Sequence, residues 1–373
     1  MKRAASKQRA GKSVVLVGLG NIGSQFVEHV ACMEGVVRVT LVDKDDYEEA
    51  NLQSQRITRR DLGRSKVAAQ ARRLREMNPS IVVTPIREDV ANIPLGRLRG
   101  DVIIAGVDSL QARIRINEIA WRLGVPWIDG GVEPASHLVR LNAYQPSASS
   151  PCLECALDES DYQQLGSRHP CGPDSADVAP TNGSTSLGAL AAALLAIECQ
   201  KLLTGAKQFA LISRQVVLDA LHHRHFLTTF RHNPRCRFDH AVWEIKLWRR
   251  MSVNHTLAEA IAAARKLTRA SDAVSLRIDG HPLVRALHCP GCGHCVNQPH
   301  LLGRLGRPEQ GCPRCGKHVM LATGFKIVES LDKNLPTEIL RKPLRRFGFQ
   351  PGDVVTVTCA NHELHLVIPH ERM

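Results

Sequence analysis

The stretch VVLVGLGNIGSQFVEHVACMEGVVRVTLVDKDDYEEAN, Val14 to Asn51, decides the fold. Four apolar residues run into Gly18-Leu19-Gly20-Asn21-Ile22-Gly23-Ser24, an amphipathic segment follows, and a second apolar run, Val39 to Val42, ends on Asp43. This is the pattern of a βαβ unit with a glycine-rich first turn and an acidic residue at the end of its second strand. Glycines let backbone N–H groups approach a phosphate, a helix N-terminus adds partial positive charge, and Asp43 can accept ribose hydroxyls.

Working outward, Ser65 to Met77 reads as a helix stopped by Asn78-Pro79, and Ile81 to Val83 as a strand. Asp101 to Ala105 reads as a strand ending at Gly106-Val107-Asp108, followed by a helix over Gln111 to Leu123, a strand over Val125 to Ile128 and a turn at Asp129-Gly130-Gly131. Strands alternating with helices predict an α/β fold with a doubly wound, mostly parallel Rossmann-like sheet, its ligands at the carboxyl ends of the strands. Gly20, Asp43 and Asp108 all fall at such ends. His137 to Tyr144 and Leu211 to Leu218 read as further strands, and Leu187 to Leu203 as a helix apolar on most faces and therefore buried. The polar stretch up to Gly183 is too long and too rich in Pro, Gly, Asp and Ser for an ordinary connection.

A boundary is expected between Asp239 and Arg250. Beyond it, Thr256-Leu257-Ala258-Glu259 forms a capping box for a helix running to about Thr268. Short strands, a cysteine-rich insert and a hairpin over 353–357 and 363–368 complete a smaller α+β C-terminal domain. The expected layout is a basic N-terminal tail (1–12), a nucleotide-binding unit (13–240) and the α+β domain (251–373).

The chain has 373 residues, a formal charge of +13 and 12 cysteines. Its first residues are basic and polar with no apolar segment behind them, and the apolar run Leu187 to Ile197 is about half of a membrane span, so a soluble, cytoplasmic protein is expected. Without a secretory signal the cysteines read as metal ligands and reactive thiols, not as a disulfide framework. From Ala241 on, 19 Lys and Arg stand against 11 Asp and Glu. Aromatic residues make up only 4% and the basic residues form no stripe, so an acidic protein is a better partner than nucleic acid.

Two cysteine patterns predict tetrahedral zinc sites. Cys152-x-x-Cys155 is half of one, and Cys236 with His240 is proposed as its other half, His232 being the substitute for the fourth ligand. Cys289-Pro-Gly-Cys292-Gly and Cys312-Pro-Arg-Cys315-Gly are two knuckles of a zinc ribbon spanning 288–318, with a 19-residue insert between them. His294 and Cys295 are left out of this set. Cys32, Cys199 and Cys359 sit in apolar patterns and read as core.

In order, GLGNIGS (18–24), LVDKDDYEEANLQSQ (41–55), Gly63-Arg64-Ser65-Lys66, Val107-Asp108-Ser109 with Arg113 and Asn117, Pro151-Cys152-Leu153-Glu154-Cys155, and the helix ending Lys201-Leu202-Leu203-Thr204-Gly205 resemble the ThiF/MoeB and ubiquitin-activating enzyme superfamily. That superfamily adenylates the C-terminal glycine of ubiquitin-like proteins. The resemblance covers roughly residues 12 to 240. It implies that Gly18, Gly20, Asn21 and Gly23 shape an ATP loop, and that Asp43 holds the ribose while Asp45 and Asn51 line the nucleotide site. Lys66 would neutralise the phosphates and Asp108 would hold Mg²⁺. An incoming carboxylate must meet an already anionic triphosphate, so cations have to offset the charge that builds in the transition state.

The chain departs from the family pattern at Ser54, where an arginine belongs, with Arg56 nearby as its substitute. It also lacks the usual arginine motif before the first strand, leaving Arg3 or Arg9 to cross a dimer interface. Cys171, beside Arg168 and His169, lies where related enzymes place a catalytic or sulfur-relay thiol, and these neighbours favour thiolate.

The resemblance thus implies a homodimeric, ATP-, Mg²⁺- and Zn²⁺-dependent activating enzyme that hands a ubiquitin-like protein to a conjugating enzyme. The second domain points to conjugation, and by analogy with related gene neighbourhoods to antiviral defence. Sulfur-carrier adenylyltransferase, NAD-dependent oxidoreductase, non-catalytic scaffold and zinc-ribbon nucleic-acid binder are the other readings of the same residues.

Overall fold

The computed structural model describes residues 11–166, 184–269, 274–297, 299–304, 311–317, 321–322, 327–328, 330–360 and 362–370. They divide into two compact units, one holding residues up to Ala91 and Leu98–Val242, the other Asn92–Arg97 and the chain from Trp243 on.

In the first unit β1 (Lys12–Val17), α1 (Asn21–Ala31), β2 (Val36–Val42), α2 (Lys66–Met77), β3 (Val82–Ile86), β4 (Val102–Ala105), α3 (Leu110–Leu123) and β5 (Trp127–Glu133) alternate as expected. There follow β6 (Leu138–Tyr144), α4 (Glu159–Gly166), α5 (Thr185–Thr204), β7 (Arg214–Asp219) and β8 (Arg224–Thr229). The sheet order is β3-β2-β1-β4-β5-β6-β7-β8, with the first five strands parallel and the last three antiparallel. The order reverses between β1 and β4, the position at which doubly wound folds bind their ligands. Val14, Leu16, Leu41, Ile104 and Ile128 from the strands pack with Phe26, Val30, Ala191 and Leu195 from α1 and α5 in one core.

Three details differ from the sequence reading. Asp129-Gly130-Gly131 is not a turn, because β5 runs through it in register with β6; Gly130 leaves room for Leu195, whose Cδ1 would lie 2.8 Å from an added Cβ. Helix α5, long and apolar enough to cross a membrane by length and composition, buries one face and not most of its surface. Leu187, Ala191, Leu195 and Cys199 lie in the core, whereas Ile197 is 53% exposed. Cys32 caps the end of α1 in solvent and is not a core residue, while Cys199 is buried.

The second unit contains β9 (Ile245–Leu247), α6 (Leu257–Thr268), β10 (Val274–Arg277), β11 (Leu331–Asp332), β12 (Val354–Cys359) and β13 (His362–Val367), in the sheet order β11-β10-β12-β13-β9. The capping box forms as its sequence implies: the Glu259 N–H donates to Thr256 Oγ1 at 3.2 Å and the Thr256 N–H to Glu259 Oε2 at 2.7 Å. A buried Arg304 makes two bonds to Asp353, at 2.5 and 2.6 Å. Residues 92–97 join this unit through the Gly96 N–H, which donates to the Gly352 carbonyl at 2.8 Å; nothing in the local sequence marks that excursion.

Close approach fixes the glycine turn. A Cβ on Gly23 would lie 1.9 Å from the Gly18 carbonyl oxygen, and Gly18 itself has φ +86°. A Cβ on Gly20 would meet only Gln55 Nε2, at 3.9 Å. Gly23→Ala should therefore destabilise the protein by roughly 1–3 kcal/mol or more in denaturant unfolding. Gly20→Ala should leave the unfolding midpoint nearly unchanged while weakening nucleotide binding.

Candidate functional site

Three loops meet at the carboxyl ends of β1, β2 and β4. The Gly18 N–H donates to the Val42 carbonyl at 2.9 Å, and the Gly106 N–H to Val17 at 2.9 Å. The Asp43 carboxylate ties the first two loops together, accepting from the Leu19 N–H at 2.6 Å and from the Asp45 N–H at 2.9 Å. Burial pushes its pKa above the ordinary aspartate value, with Lys66 and the two N–H groups working against that shift.

Lys66, the first residue of α2, is pulled in by its backbone and its side chain. Its N–H donates to the Asp45 carbonyl at 2.9 Å, and Nζ lies 3.4 Å from Asp45 Oδ2 with only 11% of the side chain exposed. Behind it, the buried Tyr47 hydroxyl donates to the Leu19 carbonyl and accepts from Gln70 Nε2, both at 2.9 Å, so the glycine turn rests on a fixed base. Asp108 is exposed where the chain leaves β4 for α3.

The other residues of the predicted set are placed differently. Asn21 Nδ2 donates to the Ser184 carbonyl at 3.3 Å, and a Cβ on Gly188 would collide with the Asn21 side chain, so Asn21 packs against the start of α5. Asn51 Oδ1 accepts the Glu48 N–H at 2.9 Å and caps its own turn. Ser54 is buried. Arg56 Nε pairs with Glu28 on α1 at 2.9 Å, and Arg73 pairs with the same carboxylate, so the structure does not bring the Arg56 guanidinium to the glycine loop. Cys171, Arg168, His169, Arg3 and Arg9 lie outside the described residues.

Sequence reasoning missed the partners of Arg113. Its Nε lies 2.9 Å from Asp129 Oδ1, and Arg140 holds Asp129 Oδ2 at 2.9 Å. Asp129 is fully buried on β5. The only sequence signal was a charged residue in an otherwise apolar strand. Asn117 is also buried, and its Oδ1 accepts the Leu153 N–H at 3.2 Å, bracing the turn that carries Cys152.

Two groups of metal-ligand atoms each lie within 4.8 Å of one another: Cys152, Cys155, Cys236 and His240, and Cys289, Cys292, Cys312 and Cys315. Sulfur separations are 3.8 Å for Cys152–Cys155, 3.7 Å for Cys152–Cys236, and 3.6 Å for both Cys289–Cys315 and Cys292–Cys312. A tetrahedral Zn–S bond of ~2.3 Å implies sulfur separations of ~3.8 Å, so both sets fit zinc. His240 Nδ1 lies 3.0 Å from the Ser150 carbonyl, which can only accept, so Nδ1 carries the proton and Nε2, 3.5 Å from Cys155 Sγ, is free to ligate. Burial lowers the His240 pKa and raises that of Cys152. A neutral imidazole suits coordination, and the cost of buried thiolates falls when a dication is bound. Arg122 grips Asp239 at 2.6 and 2.9 Å and holds the Cys236–His240 loop against α3.

Residues 3–238 match the ThiF family. The chain belongs to the ThiF family. It is 27% identical to the SAMP-activating enzyme E1 of Haloferax volcanii over 226 residues, 60% of this chain and 78% of that protein. It is 32% identical to the sulfur carrier protein ThiS adenylyltransferase of Bacillus subtilis over 149 residues, 39% of this chain and 43% of that protein. E. coli MccB, in a crystal structure with ATP, is 21% identical with a TM-score of 0.48 over 61% of this chain and 66% of that one. With the family match and the likeness to the two activating enzymes of Haloferax volcanii and Bacillus subtilis, this ThiF protein is an adenylating enzyme.

The zinc assignment has a direct check. Purified protein should carry two zinc ions per chain by elemental analysis. Cys236→Ser and Cys312→Ser should each lower this to one, and a variant that keeps both ions would remove its cysteine from the ligand set.

Proposed function

We propose that this ThiF-family protein activates a ubiquitin-like protein with ATP and passes it on as a thioester. Lys66 carries the reading. A nearly buried ammonium folded back from the start of a helix onto Asp45, at the mouth of a glycine turn, meets the need for a fixed cation against a triphosphate. The Asp43 oxygens keep lone pairs beyond the two backbone bonds they accept and can take ribose hydroxyls. Asp108, a single exposed carboxylate, suits Mg²⁺, which is commonly held by one or two carboxylates together with substrate phosphates. Bound there, the cation would neutralise charge developing on the phosphates.

In the first step an oxygen of the partner's C-terminal glycine carboxylate attacks the α-phosphorus of ATP. The bond to the β-phosphate oxygen breaks, and pyrophosphate leaves with its electron pair. In the second, the Cys171 thiolate attacks the acyl carbon, forming a thioester and releasing AMP. A conjugating enzyme then takes the acyl group. The proposed enzyme works as a cytoplasmic homodimer on a protein carrying an exposed glycine tail, and the second unit recruits the receiving enzyme. Two features support conjugation over sulfur-carrier activation: the ribbon-bearing unit beyond the matched region, and the likeness to an E1 enzyme over most of that enzyme's length.

ATP–pyrophosphate exchange that depends on the added ubiquitin-like protein tests the first step. Lys66→Ala should slow it by roughly 100-fold or more. Cys171→Ala should retain exchange and lose the thiol-labile adduct seen on a non-reducing gel; an unchanged adduct removes Cys171 from the mechanism, and absence of exchange removes the activating reading.

The pH dependence follows from Asp43. Because burial raises its folded pKa, it takes up a proton above the pH at which a free aspartate would. The bare folded state is then relieved of a buried charge as pH falls through that value, whereas nucleotide binding loses its acceptor. ATP affinity, measured by calorimetry, should therefore fall on acidification above the free-aspartate value of 3.8, and Asp43→Asn should bind more weakly but without this acid limb.

A further inference from the structure

We propose that Asp129, acting through Arg113 and braced by Arg140, is a positioning residue for Asp108; the inference rests on the adenylation reading above. The Asp108 side chain is exposed, so the backbone that carries it has a large share in fixing where its carboxylate sits. That backbone has left the sheet: β4 ends at Ala105, and the Val107 and Asp108 carbonyls have no strand partner. Arg113 takes both. One terminal nitrogen, Nη2, donates to the Val107 carbonyl at 2.5 Å, and the other, Nη1, to the Asp108 carbonyl at 3.3 Å. From the opposite side the segment is closed by Ser109, whose side chain accepts the Ala112 N–H at 3.2 Å and caps α3.

A long arginine side chain can hold two carbonyls in one geometry only if its own rotamer is fixed. Asp129 supplies that constraint, accepting from Arg113 Nε at 2.9 Å with one oxygen and from Arg140 at 2.9 Å with the other. It sits on β5 in register with Ala105, so the constraint is anchored in the sheet one strand from where Asp108 leaves it. Gly131 lies beside both guanidinium groups: an added Cβ would lie 3.2 Å from Arg140 Nη2, a tight contact, and 3.7 Å from Arg113 Nη2. Groups behind a metal-holding residue typically change metal affinity 10–100-fold when altered.

The test measures ATP binding by calorimetry on the full-length, zinc-loaded protein, with and without added Mg²⁺. Wild type should bind ATP more tightly with Mg²⁺, and Asp108→Ala should lose that gain. Arg113→Lys keeps a positive charge near Asp129 but gives up the two-carbonyl fork. It should bind ATP like wild type without Mg²⁺ and lose roughly 10-fold of the Mg²⁺-dependent gain. Asp129→Asn, which removes the buried charge that Arg113 and Arg140 share and leaves one guanidinium facing an amide donor, should reproduce this loss. Arg140→Lys should change it least.

If the Mg²⁺ gain is lost in Asp108→Ala but kept in Arg113→Lys, the positioning role is wrong while the adenylation site stands. If wild type shows no Mg²⁺ gain, the role of Asp108 fails and the inference with it. Loss of ATP binding in both buffers by Arg113→Lys would assign the arginine to fold integrity and also overturn the inference.

Discussion

The Asp43 carboxylate is the clamp on which the nucleotide crevice depends. By accepting from the Leu19 and Asp45 N–H groups it joins the loop after β1 to the loop after β2, so the glycine turn and the Asp45–Lys66 pair are built from one anchor. Holding a carboxylate there costs desolvation free energy, which the two backbone bonds and the nearby ammonium offset in part. The close approach of Gly23 to the Gly18 carbonyl leaves no room for a side chain there, so the turn in this geometry requires glycine. Beneath these loops Tyr47 and Gln70 supply uncharged hydrogen bonds that hold the glycine turn from below.

A second pattern recurs across the first unit: cationic side chains are committed to acidic partners before any ligand arrives. Arg56 and Arg73 share Glu28, Arg122 holds Asp239, and Arg113 and Arg140 share Asp129. These five arginines are thus engaged in holding loops and helices of the first unit together and do not stand as unpaired surface charge. The candidate metal sites would serve a similar end by other means: Cys152 and Cys155 stand beside Cys236 and His240 across 81 or more residues of chain, and a zinc ion held by the four would cross-link them.

Legibility in the sequence followed the range of the interaction involved. The glycine turn, the Thr256 capping box and the two ribbon knuckles were readable because each is satisfied within a few residues: Gly293 and Gly316, both at positive φ, close their knuckles by donating to Cys289 and Cys312 four residues back. Helix α5 was misread in its exposure because composition records how apolar a helix is and not how much of it a sheet can cover. Ile197 faces solvent although its chemistry matches Leu195. Arg56 illustrates the opposite difficulty. Proximity to Ser54 in sequence suggested a substitute for the missing arginine, yet Glu28, 28 residues earlier, holds it instead.

The sequence by itself determined the βαβ start, the alternation of strands and helices through β5, and the close cysteine pairs of the candidate metal sites, because periodicity, glycine φ preference and ligand spacing are local properties. Tertiary structure alone decided that Asp129 is buried between two arginines, that β5 runs through a stretch resembling a turn, and that residues 92–97 belong with the second unit. The physical reason is common to all three. A buried charge, a strand through two glycines and an excursion between units are each unfavourable locally, and become stable only when distant partners supply the hydrogen bonds and packing.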